Sequence, residues 1–424
     1  MTLTEARPTQ PRRFGGVLRQ HDFRMLWVGE TTSRLGTTVT GIAVPLIAVT
    51  SLHASTFLMG VLDAVAWLPW LLIGLPAGAL IDRLPRRRTM LVCDAVSALL
   101  LLSVPVVAVF GTLTMTQLVV VALLVGVATV FFTTAYQAFL PSVVAKEDLA
   151  EGNAKLQASD QAATIAGPGL GGVITQAVGA ASGLLVDVAS FAVSAVCLLR
   201  IRAREEKPVV KQRRPLLTDV REGLMFVIRD RYLRVLTACA AIDNFVLTGT
   251  HALLVVFLVR TVQTPPSAVG FLLAADAIGG ILGALVATRL ARRFGTGRGL
   301  LIATVGTTPF GLLVPLTDGG WTLALFMVGL LVPAAGTVAG NVIANVFRQK
   351  HTPPDLLGRV YTSARFVQFG VIPLGALLGG LAGAELGVRP ALWLLLGLGV
   401  LGRCVRLIGP LARGRDLPTT PVTR

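Results

Sequence analysis

Apolar residues run through this chain in long unbroken blocks, separated by short polar or basic stretches. A block of about 20 apolar residues crosses a bilayer core of about 30 Å as a helix. Backbone polar groups inside lipid must be bonded within their own segment, so each block predicts a helix. The runs do not alternate residue by residue, which argues against a β-barrel. The pattern predicts twelve spans, at about 25–50, 57–80, 90–110, 116–139, 156–179, 182–200, 235–259, 267–290, 299–317, 321–346, 360–383 and 390–409, each end set to within about 2–4 residues.

Several connections are very short, namely Ser51–Thr56, Gly111–Met115 and Gly179–Ala181. Loops of that length force consecutive helices to lie antiparallel as neighbours. Twelve crossings return the chain to the side on which it began. All but three of the 38 Lys and Arg residues are placed at cytoplasmic ends or loops; Arg260 and Arg389 fall outside and Arg34 falls within the first span. That bias predicts a multi-pass plasma-membrane protein with both termini cytoplasmic. It also gives the formal charge of +16 a role in orientation and lipid contact, rather than in binding nucleic acid.

The longest charged segment, Arg200–Arg234, separates six spans from six. Leu216, Leu217, Val220, Leu224, Val227 and Ile228 recur within it at helical spacing, which predicts an amphipathic helix on the cytoplasmic membrane face. The expected organisation is therefore an N-terminal six-helix bundle (1–204), a linker with that helix (205–232) and a C-terminal six-helix bundle (233–424). The halves match weakly at a shift of 210 residues: Arg24-Met25-Leu26 with Arg234-Val235-Leu236, and Gly60 with Gly270. Pro168 matches Pro373 at a shift of 205. Such duplication is typical of transporters, whose substrate site lies between the halves.

Composition agrees. Hydrophobic residues make up 54% of the chain and charged residues 14%, against about 25% charged in an average soluble protein. The four cysteines lie in apolar segments with no CxxC spacing, and the four histidines are scattered, so no metal site or disulfide framework is indicated. No phosphate-binding loop is present, so ATP is not the expected energy source. No cofactor and no enzymatic activity are expected. The first apolar run follows a basic leader and is too long and polar-studded for a signal peptide.

Two motifs carry more specific meaning. Gly78-Ala79-Leu80-Ile81-Asp82-Arg83-Leu84-Pro85-Arg86-Arg87-Arg88 closes the second span. It resembles the loop 2–3 signature of the major facilitator superfamily, G-x-L-x-D-R-x-G-R-[KR], with Pro85 in place of the glycine. The resemblance implies a cytoplasmic gate in which Gly78 permits close helix approach. Asp82, with Arg83, Arg86 and Arg87 beside it, would meet the start of the eleventh span near Gly358 and Arg359. In the fifth span, Gly167-Pro168-Gly169-Leu170-Gly171-Gly172 resembles the antiporter motif G-P-x-x-G-G of exporters in that superfamily, with Ala163 at the upstream glycine. There Gly167, Pro168, Gly171 and Gly172 would shape an outer gate.

Trp27 with Ser33-Arg34-Leu35-Gly36, Leu140-Pro141 with Leu149 and Asn153, Asp187–Phe191, Arg348-Gln349 with Gly358-Arg359-Val360, and Pro373-Leu374-Gly375 look like the branch holding enterobactin exporters and macrolide efflux proteins. The resemblance covers nearly the whole chain. It implies an all-α integral membrane protein of two pseudo-symmetric six-helix bundles, a secondary active exporter of amphipathic small molecules working as a monomer by proton antiport. A dedicated siderophore or lysophospholipid exporter of the same fold, or a channel, are the alternatives.

Ionisable residues inside a membrane are expensive, which makes each a functional candidate. Glu30 and Arg34 stand one helical turn apart on the first span and predict an i, i+4 pair that proton or substrate can compete for. Asp63, Asp243 and Asp276 lie inside the second, seventh and eighth spans; Asp94 and Asp160 lie nearer the cytoplasmic ends of the third and fifth. Asn341 and Asn345, one turn apart on the tenth span, can hydrogen-bond a substrate or a neighbouring helix. The fourth span has no arginine, leaving Arg34 as the candidate cation. With Arg292 where the second half would need a counterpart to the gate acid, coupling is expected in the first half.

Overall fold

The computed structural model describes residues 16–81, 83–145, 148–203, 216–408, 411 and 414–418. Its elements are α1 (His21–Leu46), α2 (Thr56–Ile81), α3 (Arg86–Val109), α4 (Met115–Val143), α5 (Leu149–Val178), α6 (Ala180–Arg200), α7 (Leu216–Arg229), α8 (Arg231–Val256), α9 (Pro266–Phe294), α10 (Thr296–Thr304), α11 (Leu323–His351), α12 (Pro354–Gly370), α13 (Ile372–Glu385) and α14 (Val388–Ile408).

Among the described residues, eleven of the membrane-crossing segments are apolar enough to span by length and composition alone. The twelfth, α5, begins seven residues before the expected 156 and carries Glu151, Asn153, Lys155, Asp160 and Gln161 in its first half. Those polar turns dilute its hydropathy, while its length of 30 residues exceeds the need. Two predicted spans are broken helices. In the ninth, α10 gives way at Val305–Thr307 to a 3-10 stretch, Thr308–Leu316, where Gly306, Pro309 and Pro315 cannot sustain regular α bonding. In the eleventh, α12 and α13 are separate helices that part at Val371, two residues before Pro373. Its counterpart Pro168 sits inside an unbroken α5.

The 210-residue repeat is visible in backbone detail. α1 runs into a π-turn at Ile47–Ser51 and α8 into one at Phe257–Thr261, the same residues plus 210. Two residues beyond each turn stands a residue with positive φ, His53 at 48° and Gln263 at 58°. Each is closed by a matching bond, Ala54 N–H to Ala48 O and Thr264 N–H to Leu258 O.

One end of the molecule carries Arg83, Arg86–Arg88, α7 and Arg348–Lys350, and is called the basic end here. Toward the opposite, far end, residues from both halves share one apolar core, including Leu46, Met59 and Leu184 from the first and Leu253, Phe257 and Leu392 from the second. At the basic end the core divides. Phe23, Met90, Phe139 and Leu198 pack within the first half, and Leu236, Phe347 and Val360 within the second.

α7 forms where the amphipathic pattern predicts a helix. Its described face is turned to protein rather than only to lipid: Val227 joins the core of the second half, and Gly223 lies so close to Arg359 that a Cβ there would stand 2.3 Å from the Arg359 carbonyl oxygen.

Candidate functional site

The far end is held shut by backbone-to-backbone contact between the halves. On α2, a Cβ at Gly60 would lie 2.4 Å from the Ala376 carbonyl oxygen of α13, and one at Gly380 2.8 Å from Gly60 Cα. On α9, a Cβ at Gly270 would lie 2.0 Å from the Pro168 carbonyl oxygen of α5, and one at Gly172 2.8 Å from the Pro266 carbonyl oxygen. Gly60 and Gly270 are the repeat partners, so one contact is built twice. Small residues permit such approach, and their close packing replaces a hydrophobic drive that lipid does not supply. Gly167 and Gly171 face α1 instead, at Thr38 and Val39. Across the same end, the Arg260 guanidinium donates to the Ala54 carbonyl oxygen at 2.8 Å.

At the basic end the two gate-motif glycines face open space. A Cβ at Gly78 or at Gly358 would meet nothing within 4 Å, so the close approach expected at Gly78 is absent in this conformation. Asp82 lies outside the described residues. Arg83 is exposed, while Arg86 donates to the Ala138 carbonyl oxygen at 3.0 Å, near the end of α4. Arg87 bridges the Leu198 and Leu199 carbonyl oxygens at 2.7 Å each, capping the C-terminal turn of α6 with positive charge. Arg359 pairs with Glu222 of α7.

Between these ends lies a cavity of about 380 Å³. Gln161 and Thr164 of α5 are its contribution from the first half; the remaining wall comes from α8, α9, the 3-10 stretch, α11 and α14. Its lining is mainly apolar, with Asn244, His251, Asp276 and Asn341 among the polar groups. At one wall Asp243 is held by two arginines: Arg403 Nε to Oδ1 and Arg406 Nη2 to Oδ2, each at 2.7 Å. Arg403 also donates to the Thr308 hydroxyl at 2.6 Å and the Thr337 hydroxyl at 2.8 Å. The basic-residue count assigned both arginines to a cytoplasmic flank. They are instead 8% and 4% exposed within the bundle, where a facing carboxylate and hydroxyls replace the water a flank would provide.

A second, smaller cavity of about 50 Å³ lies within the first half, lined by Glu30, Ser33, Arg34 and Thr37 of α1, with α3, α4 and Phe191 completing it. The Glu30–Arg34 pair forms as its spacing predicts, Nε to Oε1 at 2.8 Å. Asp160 of α5 approaches the same Nε at 3.4 Å, so Arg34 stands between two carboxylates. Trp27 Nε1 donates to the Ser159 hydroxyl at 2.8 Å and fixes α5 against α1 beside this triad.

The transmembrane secretion effector model, of the major facilitator superfamily, matches residues 16–410. The chain belongs to that family. Among curated relatives, it is 29% identical over 361 residues to the multidrug efflux pump Tap of Mycolicibacterium fortuitum, covering 82% of this chain and 86% of that protein. It is 21% identical over 394 residues to macrolide efflux protein A of Streptococcus pyogenes, covering 92% and 95%. Among solved structures, a bacterial homologue of the iron transporter ferroportin in an inward-facing state superposes with a TM-score of 0.75 at 15% identity, covering 91% of this chain and 98% of that one.

As a major facilitator transporter, the molecule distributes its candidate residues unevenly. Glu30 and Arg34 come together at the small cavity; Asp243, Asp276 and Asn341 line the large one. Asp63 and Asn345 line neither of these two cavities. The second half also holds an interior ion-pair cluster that the sequence pattern does not reveal, Asp243 with Arg403 and Arg406. Asp160, placed in the fifth span by the pattern, becomes a second partner of Arg34 only through the packing of α5 on α1, which spacing along one helix does not reveal.

Proposed function

We propose that this transporter is a secondary active exporter of amphipathic small molecules, driven by proton antiport through alternating access. In this reading it is a plasma-membrane monomer, its basic end and both termini face the cytoplasm, and the open cavity is the inward-facing state. The N-terminal bundle (1–204) rocks against the C-terminal bundle (233–424), with α7 moving as part of the latter.

One observation carries the reading: the halves are fused through the Gly60–Gly380 and Gly172–Gly270 contacts at one end and apart at Gly78 and Gly358 at the other. A gated transporter needs two such seals that are never open together, whereas a channel needs a continuous path. The apolar lining of the 380 Å³ cavity with a few polar groups suits a drug-sized amphiphile. The efflux of drugs and macrolides by relatives supports outward transport.

The test is a panel of fluorescent amphiphiles in proteoliposomes under an imposed pH gradient. Uphill movement that collapses with the gradient is expected. Passive leak unaffected by the gradient, or no movement of any compound, overturns the proposal.

A further inference from the structure

We propose that Asp94 of α3 is a proton-holding carboxyl that exchanges its proton with Glu30 through the small cavity; this rests on the proton-antiport reading above. Asp94 is 1% exposed and lines the cavity of about 50 Å³ together with Glu30 and Arg34. Neither of its oxygens has a hydrogen-bond partner among the described residues. The Ser194 hydroxyl of α6 lies beside it without completing a bond of full geometry. An ionised carboxylate buried without a partner is costly, and a proton removes that cost.

The surroundings supply no standing counter-charge. α1 presents Glu30 and Arg34, but Arg34 is already committed to Glu30 at 2.8 Å and Asp160 at 3.4 Å. α6 presents Asp187, itself bonded by Thr40 at 2.6 Å and Ser190 at 2.9 Å. α4 offers only the hydroxyls of Thr129 and Thr133 at the cavity, and α3 itself adds Cys93 and Ser97. By contrast Asp187, an equally buried acid one helix away, is hydrogen-bonded at both carboxylate oxygens. The arrangement singles out Asp94 as the carboxyl left for a proton, next to a space large enough for water.

The step balances within named groups. The Asp94 O–H bond breaks, its carboxylate remains, and the proton forms an O–H bond on a Glu30 carboxylate oxygen. Neutral Glu30 no longer holds Arg34, whose remaining carboxylate partner is Asp160 on α5. Because α5 also forms the inter-half contact at Gly172 and Pro168, this exchange of partners links the proton to a helix that must move.

Two measurements test the proposal. Infrared titration of the purified transporter is expected to show a protonated-carboxyl carbonyl band that Asp94→Asn deletes and Asp94→Glu shifts. Glu30→Gln is expected to change the pH at which that band is lost. In proteoliposomes carrying ethidium, Asp94→Asn is expected to lose gradient-driven uphill movement while retaining ethidium counterflow, which needs no net proton release. Should Asp94→Asn fail to fold, the shifted band of Asp94→Glu decides instead. A band unaffected by either substitution, or uphill movement retained in Asp94→Asn, overturns the assignment. If the wild-type protein fails to couple ethidium to the gradient, the antiport reading falls, and the infrared result still decides whether Asp94 holds a proton.

Discussion

Arg403 and Asp243 meet across α14 and α8 with Nε and Oδ1 2.7 Å apart, and Arg406 takes the second carboxylate oxygen at the same distance. One acid therefore faces two guanidiniums and leaves the trio with a net positive charge. Removing the acid strands two buried cations, whereas removing Arg403 leaves Asp243 paired with Arg406. Breaking a buried pair costs about 3–5 kcal/mol. Asp243→Asn is expected to lower the thermal unfolding midpoint in detergent more than Arg403→Gln does, and the reverse order would contradict this account of the cluster.

The glycine contacts at the far end predict a shift in conformation rather than a loss of fold. A leucine at Gly60 or Gly270 would drive its Cβ into a backbone carbonyl at 2.4 or 2.0 Å. Backbone cannot yield as a side chain does, so the far end must part. Pulsed electron resonance between labels at Leu52 and Gln263 is expected to report a longer distance in Gly60→Leu and Gly270→Leu than in the parent.

α7 is held by contact more than by charge. The Glu222–Arg359 pair is partly exposed, and such pairs contribute about 0–1 kcal/mol. Gly223, in contrast, touches the Arg359 carbonyl with no room for a side chain. Hydrogen exchange across 216–229 is expected to rise strongly in Gly223→Leu and only slightly in Glu222→Gln.

Asp276 lines the large cavity and makes no ion pair among the described residues. A carboxylate in an apolar pocket favours cations over neutral amphiphiles of equal size. Asp276→Asn is expected to weaken binding of ethidium, measured by fluorescence titration, while leaving binding of uncharged N-phenylnaphthylamine close to the parent value. Equal loss for both would point to a change in cavity shape.

Much of this architecture could be read from the chain because hydropathy and spacing are local properties. Lipid demands a helix wherever about 20 apolar residues run together, and Glu30 and Arg34 meet because a helix puts residues four apart on one face. The 210-residue shift proved deep enough to repeat the π-turn and the positive φ at His53 and Gln263. What stayed hidden depends on facing between distant segments. Arg403 and Arg406 sit near the end of the final span, where position alone resembles a solvated flank; only the packing of α14 on α8 turns them onto Asp243. The vacancy around Asp94 is likewise a property of three neighbouring helices. The breaks after α10 and α12 were equally hidden, because a proline in sequence does not settle whether a helix parts, as the unbroken helix at Pro168 shows.

The divided core at the basic end has a mechanical corollary. The two halves touch at the far end, whereas Ala203 and the start of α7, between which the chain passes from one half to the other, both lie at the basic end. α7 is docked on the second half, and the sequence leaves twelve residues between Ala203 and α7, a length that can reach at most about 40 Å. In the proposed rocking motion the far-end contacts would serve as the pivot, and the length of this leash would limit how wide the jaws could part.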